Sequence, residues 1–112
     1  MSEEDIRQIR KTIGHIPSVF FDIKKDDEEM HKIIVELDKL VWRSGKLDPK
    51  TKKLIAVGIT AALRDTSALA RQMEGALKMG ITKEELREVF RVVMILAGMP
   101  AYTGCGDRTK LE

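Results

Sequence analysis

The ten residues from Leu54 to Leu63 constrain the fold of this chain most, because all of them except Gly58 and Thr60 are apolar. Asp48 and Pro49 precede this run, and a carboxylate at the cap with proline in the first turn is a strong helix start signal. A helix that is apolar almost all round is buried on most sides. In a chain of 112 residues, this predicts a central helix or one buried by a partner subunit.

The remainder of the chain also predicts helices, since no stretch alternates apolar and polar residues long enough to indicate a strand. Apolar residues recur at helical spacing in four other segments, at Ile6, Ile9 and Ile13; Met30, Ile33, Ile34, Leu37, Leu40 and Val41; Leu69, Met73, Ala76 and Leu77; and Leu86, Val89, Phe90, Val93, Met94 and Ala97. Asp26 with Glu29, and Thr82 with Glu85, have the form of capping boxes. We predict a single all-α domain over residues 1–112, with five to six helices and a partly mobile tail from about residue 101. Residues 49–64 and 67–79 should form a central helical hairpin.

Composition argues against nucleic acid and membranes as partners. The 20 basic and 18 acidic side chains are interspersed, giving a net charge of +2 without a basic run that could track a phosphate backbone. No apolar stretch approaches the roughly 18–20 residues that a membrane span needs. The first residues, from Met1 to Asp5, are acidic and precede no apolar signal core, so we expect a cytoplasmic protein. Abundant Lys and Glu with no Asn resemble a thermophile's composition.

The cysteine and histidine content argues against a metal site. Cys105 is the single cysteine, which excludes an intrachain disulfide and a metal-binding cysteine cluster. Neither His15 nor His31 is followed by a second metal ligand three or four residues later, so neither predicts a zinc or iron site. We therefore predict that the protein needs no metal and no cofactor.

Three segments between Leu47 and Ala101 carry a resemblance to a known family. LDPKTKKLIA, from Leu47 to Ala56, is similar to a family opening L-x-x-K-T-K-E-L-I-A. GALKMGITKEELRE, from Gly75 to Glu88, is similar to A-L-x-x-G-x-T-x-E-E-I-x-E, and AGMPA, from Ala97, is similar to G-G-x-P-A. In their order and spacing these segments resemble the carboxymuconolactone decarboxylase and alkylhydroperoxidase D-like family. The resemblance implies that family's all-α helical fold, homotrimers or homohexamers, and peroxiredoxin-like antioxidant oxidoreductase activity or lactone decarboxylation.

The resemblance also places the family's catalytic motif on this chain, where none of its residues is kept. Peroxidase members of the family use Cys-x-x-Cys-x-x-x-His with a preceding glutamate, which together supply a peroxide-attacking thiolate, a resolving thiol and a proton relay. With Gly80 as anchor, the two cysteines fall on Asp65 and Ala68, the histidine on Gln72 and the glutamate on Lys53. Residues 1–104 contain no cysteine, so the dithiol peroxidase mechanism cannot run here. Gln72 cannot transfer protons in the place of a histidine.

These inherited positions leave two interpretations open. Lys53, Asp65 and Gln72 could form a polar pocket for a small anionic ligand, in which a buried Lys53 with a shifted pKa could act in acid–base chemistry. Alternatively, Asp65 caps the following helix and Lys53 is a solvated surface charge. Cys105 is likewise either a one-cysteine redox centre or an incidental thiol in a glycine-flanked loop.

Three hypotheses for function follow from these observations. The first is a peroxiredoxin-like antioxidant enzyme, which would depend on Cys105. The second is a decarboxylase or other enzyme of small organic acids that uses Lys53, Asp65 and Gln72. The third, which the residues favour, is a non-catalytic oligomeric or ligand-binding protein.

Overall fold

All the secondary structure of the described residues is helical, in agreement with the predicted all-α class. The computed structural model describes residues 3–7 and 19–103, with the side chains of residues 19–21 left out. Cys105 and His15 therefore lie outside the described residues. The helices are α1 (within residues 3–7), α2 (Val19–Asp26), α3 (Glu28–Trp42), α4 (Pro49–Ala62), α5 (Thr66–Lys78), α6 (Lys83–Ala97) and α7 (Met99–Thr103).

Two of these helices are short segments that sequence patterns did not define as helices. Residues 19–26 form the two turns of α2. Gly98 ends α6, with a positive φ of 88° that favours glycine. The chain then resumes as α7, because Pro100 lies in its first turn, where a backbone N–H needs no partner within the helix.

Side-chain caps set the starts of the four long helices. Asp48 accepts a hydrogen bond from the Thr51 N–H at 2.7 Å, and Pro49 occupies the first turn of α4. Thr82 and Glu85 form the predicted capping box at the start of α6. The cap of α3 is Asp27, one residue after the predicted Asp26, because α2 extends to Asp26 and leaves the next carboxylate to cap α3.

The predicted central hairpin is formed by α4 and α5, and α6 packs against α4. The buried side chains at its centre are Val57, Ala61, Leu69, Met73, Ala76, Ile81, Leu86, Phe90, Val93 and Ala101. At the α4–α6 contact, a Cβ added to Gly58 would lie 3.5 Å from Cγ1 of Val89. A methyl group would therefore just fit between the two helices here, whereas a larger side chain would not.

Helix α3 has its polarity reversed with respect to an ordinary surface helix. Its buried residues are His31 and Val35, and its part-buried Asp38 and Trp42 continue the same face at helical spacing. The apolar stripe faces solvent, with the most exposed members being Met30, Ile33, Leu37, Leu40 and Val41. The face that usually covers a core is thus the outer face of this protomer.

Helices α4 and α6 also expose apolar residues. Lys53, Val57 and Ala61 of α4 are buried, whereas Ile55 and Ile59 on another face are about half exposed. Ile95 and Leu96 of α6 are each 81% exposed. The single protomer therefore leaves uncovered part of the apolar surface that the sequence predicted to be buried.

Candidate functional site

The candidate site is centred on Lys53, which is fully buried on the inner face of α4. Its side chain has 0% exposure, and its Nζ donates a hydrogen bond to Oε1 of Gln72 on α5 at 2.7 Å. Lys53 precedes Val57 and Ala61 by one and two helical turns, so all three lie on the face that packs into the protomer. The interpretation of Lys53 as a solvated surface charge is therefore wrong.

Helix α3 supplies the other wall of the site. The ammonium of Lys53 lies 5.0 Å from the centroid of the Trp42 ring, within the range of a cation–π contact. The Trp42 indole N–H donates to Oδ1 of Asp38 at 3.1 Å, and the buried Oδ2 of Asp38 has no hydrogen-bond partner within the described part of the chain. Lys53, Gln72, Trp42 and Asp38 together form what we call the lysine cluster.

Burial weakens the charged form of both ionisable groups in the lysine cluster. Desolvation lowers the pKa of Lys53 to about 8, and the nearby Asp38 opposes that change. Desolvation also raises the pKa of Asp38, against the effects of the Trp42 hydrogen bond and of Lys53. An amine whose pKa approaches neutrality can exchange a proton under ordinary conditions, which a surface lysine does only at high pH.

The remaining predicted site residues have different surroundings. Asp65 is exposed and caps α5, where its Oδ1 accepts from the Ala68 N–H at 3.0 Å. Ala68 is part-buried in the first turn of the same helix. The structure thus brings Lys53 and Gln72 into direct contact and gives Asp65 the capping role that the sequence offered as an alternative. A role for Asp65 in ligand binding stays a prediction.

Sequence reasoning did not include Asp38 and Trp42 in the site. The sequence feature that could have indicated them is a second face of α3, opposite the apolar stripe. On this face residues recur at intervals of three or four positions, namely His31, Val35, Asp38 and Trp42. The polar face of an amphipathic helix is usually solvated, so this spacing does not by itself predict a site. In the structure the face turns inward, and the buried Nε2 of His31 has no hydrogen-bond partner among the described residues.

Two apolar depressions flank α4. One has a volume of about 440 Å³ and lies beside the lysine cluster. Its lining residues are Val41, Trp42, Lys52, Ile55, Ala56, Ile59 and Thr60. The other has a volume of about 400 Å³ and lies between α4 and α6, with Leu54, Ile55, Gly58, Val92 and Leu96 among its lining residues. Trp42 is the residue that both lines the first cavity and contacts Lys53.

Comparison with known proteins identifies the family of this fold. The profile of the carboxymuconolactone decarboxylase family matches residues 28–105, which include all four residues of the lysine cluster. The chain belongs to this family. Within the carboxymuconolactone decarboxylase family, Lys53 and Gln72 occupy the positions to which the sequence resemblance assigned the peroxidases' glutamate and histidine.

Two similar relatives are uncharacterized proteins of Methanocaldococcus jannaschii. One is 46% identical over 82 residues, covering 72% of this chain and 79% of the relative. The other is 38% identical over 80 residues, covering 71% of this chain and 75% of the relative. A crystal structure from Burkholderia xenovorans LB400, assigned to the carboxymuconolactone decarboxylases, superposes with a TM-score of 0.80 at 20% identity. It covers 92% of this chain and 80% of its own, and this likeness supports the fold alone.

Within residues 3–7 and 19–103, no three His, Cys, Asp or Glu side chains lie together as a metal site would require. None of the helices in this part of the chain is both long and apolar enough to cross a membrane.

Proposed function

We propose that this protein is a self-associating, ligand-binding member of the carboxymuconolactone decarboxylase family that binds a small organic acid at the lysine cluster. The observation that carries this proposal is the hydrogen bond between the buried Lys53 and Gln72, two residues at inherited active-site positions. A buried lysine is costly unless it is paired, so its presence there favours a role in binding over an incidental position.

The chemistry of the lysine cluster suits a carboxylate. Lys53 carries the positive charge, and the Gln72 amide and Trp42 indole are N–H donors by residue type. Charge-assisted hydrogen bonds from such groups to a carboxylate are stronger than hydrogen bonds between neutral partners. Asp38 limits the affinity for anions while it is ionised, and the burial that raises its pKa reduces that penalty.

Calorimetric titration of the protein with acetate, succinate and benzoate at pH 7 tests this proposal. We expect at least one of these acids to bind the original protein and none to bind Lys53→Met. Lys46→Met, which removes an exposed lysine, serves as the matched control and should bind as the original protein does. Equal affinity in all three proteins, with the folds intact by circular dichroism, would refute the proposal.

A second candidate is an enzyme that decarboxylates or otherwise transforms a small organic acid. It is favoured by the pKa of Lys53, about 8, because this value lets the amine take up and release protons near neutral pH. The two candidates differ in turnover, which is measured as loss of the added acid over time. Turnover that disappears in Lys53→Met but not in Lys46→Met would support the enzyme.

Self-association is supported by the apolar faces of α3 and α6, which expose residues such as Leu37 and Leu96. Contiguous exposed apolar surface of this kind usually marks an interaction site. We infer that copies of the chain bury these faces against one another, as trimers or hexamers. We also propose that the protein works in the cytoplasm.

Peroxiredoxin-like activity, the expectation for the family as a whole, would have to use Cys105. Intact mass after treatment with hydrogen peroxide and dimedone tests this, with Cys105→Ser as control. We expect the thiol to remain largely unmodified. Rapid stoichiometric labelling of Cys105 would instead support a one-cysteine redox role.

A further inference from the structure

The amine of Lys53 contacts Trp42, and the Trp42 ring borders an open cavity. Its Nζ contacts Oε1 of Gln72 at 2.7 Å and lies 5.0 Å from the Trp42 ring centroid. The Trp42 ring is only part-buried and lines the cavity of about 440 Å³ described above. Trp42 thus contacts both the amine and this cavity, and a ligand in the cavity would reach the amine by displacing the Trp42 ring.

The cavity beside Trp42 combines mainly apolar walls with one lysine among its lining residues. Its walls include Ile55 and Ile59, which suit a short hydrocarbon part. Lys52 also lines it, and its ammonium is fixed by hydrogen bonds of 2.7 Å to the carbonyl oxygens of Val41 and Arg43. An ammonium has three N–H donors, so Lys52 can present a further one and its charge to a carboxylate.

We propose that Lys53 forms an imine with the carbonyl carbon of a small oxo acid bound in the cavity between Trp42 and Lys52. This inference rests on the proposed function, and it adds to it the class of ligand and a covalent step. The two neighbouring lysines have separate roles in it, since Lys52 attracts the carboxylate and Lys53 attacks the carbonyl.

The reaction needs no oxidant, reductant or further reactant. The lone pair of the neutral Lys53 amine forms a bond to the carbonyl carbon, and the carbonyl oxygen takes up a proton, giving a carbinolamine. Loss of that oxygen as water, with the two hydrogens of the original amine, leaves the C=N bond of the imine. If the ligand is a 3-oxo acid, the protonated imine can accept the electron pair released as CO₂ departs.

The surroundings of Lys53 support this chemistry in two ways. With a pKa of about 8, roughly a tenth of the amine is neutral at pH 7, compared with less than about one in a thousand for an ordinary lysine. Asp38 lies on the other wall with Oδ2 buried and unpartnered, so its carboxyl group can supply and accept the protons of the addition and dehydration.

The experiment treats the protein with pyruvate and cyanoborohydride, which reduces an imine to a stable secondary amine, and locates the adduct by peptide mass mapping. We expect Lys53 to gain the mass of pyruvate, less water and plus two hydrogens, at least about tenfold faster than exposed Lys46 at pH 7. The adduct at position 53 should be absent in Lys53→Met. Trp42→Phe, which keeps an aromatic ring but loses the hydrogen bond to Asp38, should be labelled faster.

Lactate separates the failure of this inference from failure of the proposed function, because it is an acid of similar size without a ketone. Competition of lactate with pyruvate, together with rapid labelling of Lys53, supports the imine. Binding of both acids without an adduct at Lys53 overturns the imine and leaves acid binding intact. If neither lactate nor pyruvate binds, and Lys53 is labelled no faster than Lys46, the imine and the proposed binding of small acids of this class are both overturned. Because the mapping is done on the original protein, the result does not depend on the folding of a variant.

Discussion

At the scale of single residues, the notable feature is a fully buried lysine that has an amide, an indole and a part-buried carboxyl as neighbours. Removing a charged group from water costs several kcal/mol, and the contacts of Lys53 with its neighbours offset only part of this desolvation free energy. Stability alone would be served as well by an apolar residue at this position. The lysine cluster is therefore better explained by its chemistry than by its contribution to folding.

The pKa of Lys53 predicts how the free energy of unfolding depends on pH. Its folded-state pKa of about 8 is below the value of about 10.4 for an unfolded lysine, so between these values the unfolded chain binds more protons. Stability should therefore rise with pH across this window, by up to about 3 kcal/mol relative to Lys53→Met. Urea denaturation of the original protein and of Lys53→Met from pH 7 to 10 measures this difference, because the contributions of the other titrating groups largely cancel. If the free energy of unfolding changed with pH in the same way in both proteins, the lowered pKa of Lys53 would be contradicted.

Asp38 gives a second prediction for the same amine. Its carboxylate raises the pKa of Lys53 against the effect of burial, so Asp38→Asn should lower that pKa further. The Lys53 side-chain signal can be followed by NMR as a function of pH. Glu36→Gln, on an exposed position of the same helix, is the control and should leave the Lys53 titration unchanged. An unchanged midpoint in Asp38→Asn would mean that the two groups are not electrostatically coupled.

At the scale of helices, local signals determine much of what is seen. Asp48 with Pro49, and Thr82 with Glu85, start α4 and α6 where the sequence predicts, because a cap is an interaction among residues close in the chain. The orientation of α3 is different, since periodicity identifies an apolar face but not the surface that covers it. That is why Lys53 and Gln72 could be proposed for the site through a family resemblance, whereas Asp38 and Trp42 could not.

Gly58 provides a test of the contact between α4 and α6. A Cβ at this position would meet Cγ1 of Val89 at 3.5 Å, an ordinary van der Waals distance, and glycine is unfavourable inside a helix. Gly58→Ala should therefore stabilise the protein by about 0.5–1 kcal/mol in urea denaturation. Gly58→Leu should destabilise it, because the larger side chain cannot fit between the helices. Destabilisation by alanine itself would indicate a closer approach of α4 and α6 than described.

At the scale of the whole molecule, apolar surface on α3 and α6 predicts assembly. Leu37→Glu on α3 and Leu96→Glu on α6 each place a charge on an exposed apolar face, and each should shift the protein towards monomers in analytical ultracentrifugation. Lys32→Glu changes the charge of an exposed polar residue of α3 and should preserve the assembled state. A monomeric original protein at micromolar concentration would exclude self-association through these faces.

The reversed polarity of α3 also has a consequence for local unfolding. Within the described residues α3 packs mainly on α2, and it meets α4 through polar contacts such as those of Lys52 and Lys53. A helix held by few apolar contacts opens more readily than the core it lies on. The amide hydrogens of α3 should therefore exchange with solvent faster than those of α4. Because dilution dissociates the assembly that covers α3, it should increase this difference in exchange rate. The exchange rate of α3 would then report the fraction of the protein that is assembled.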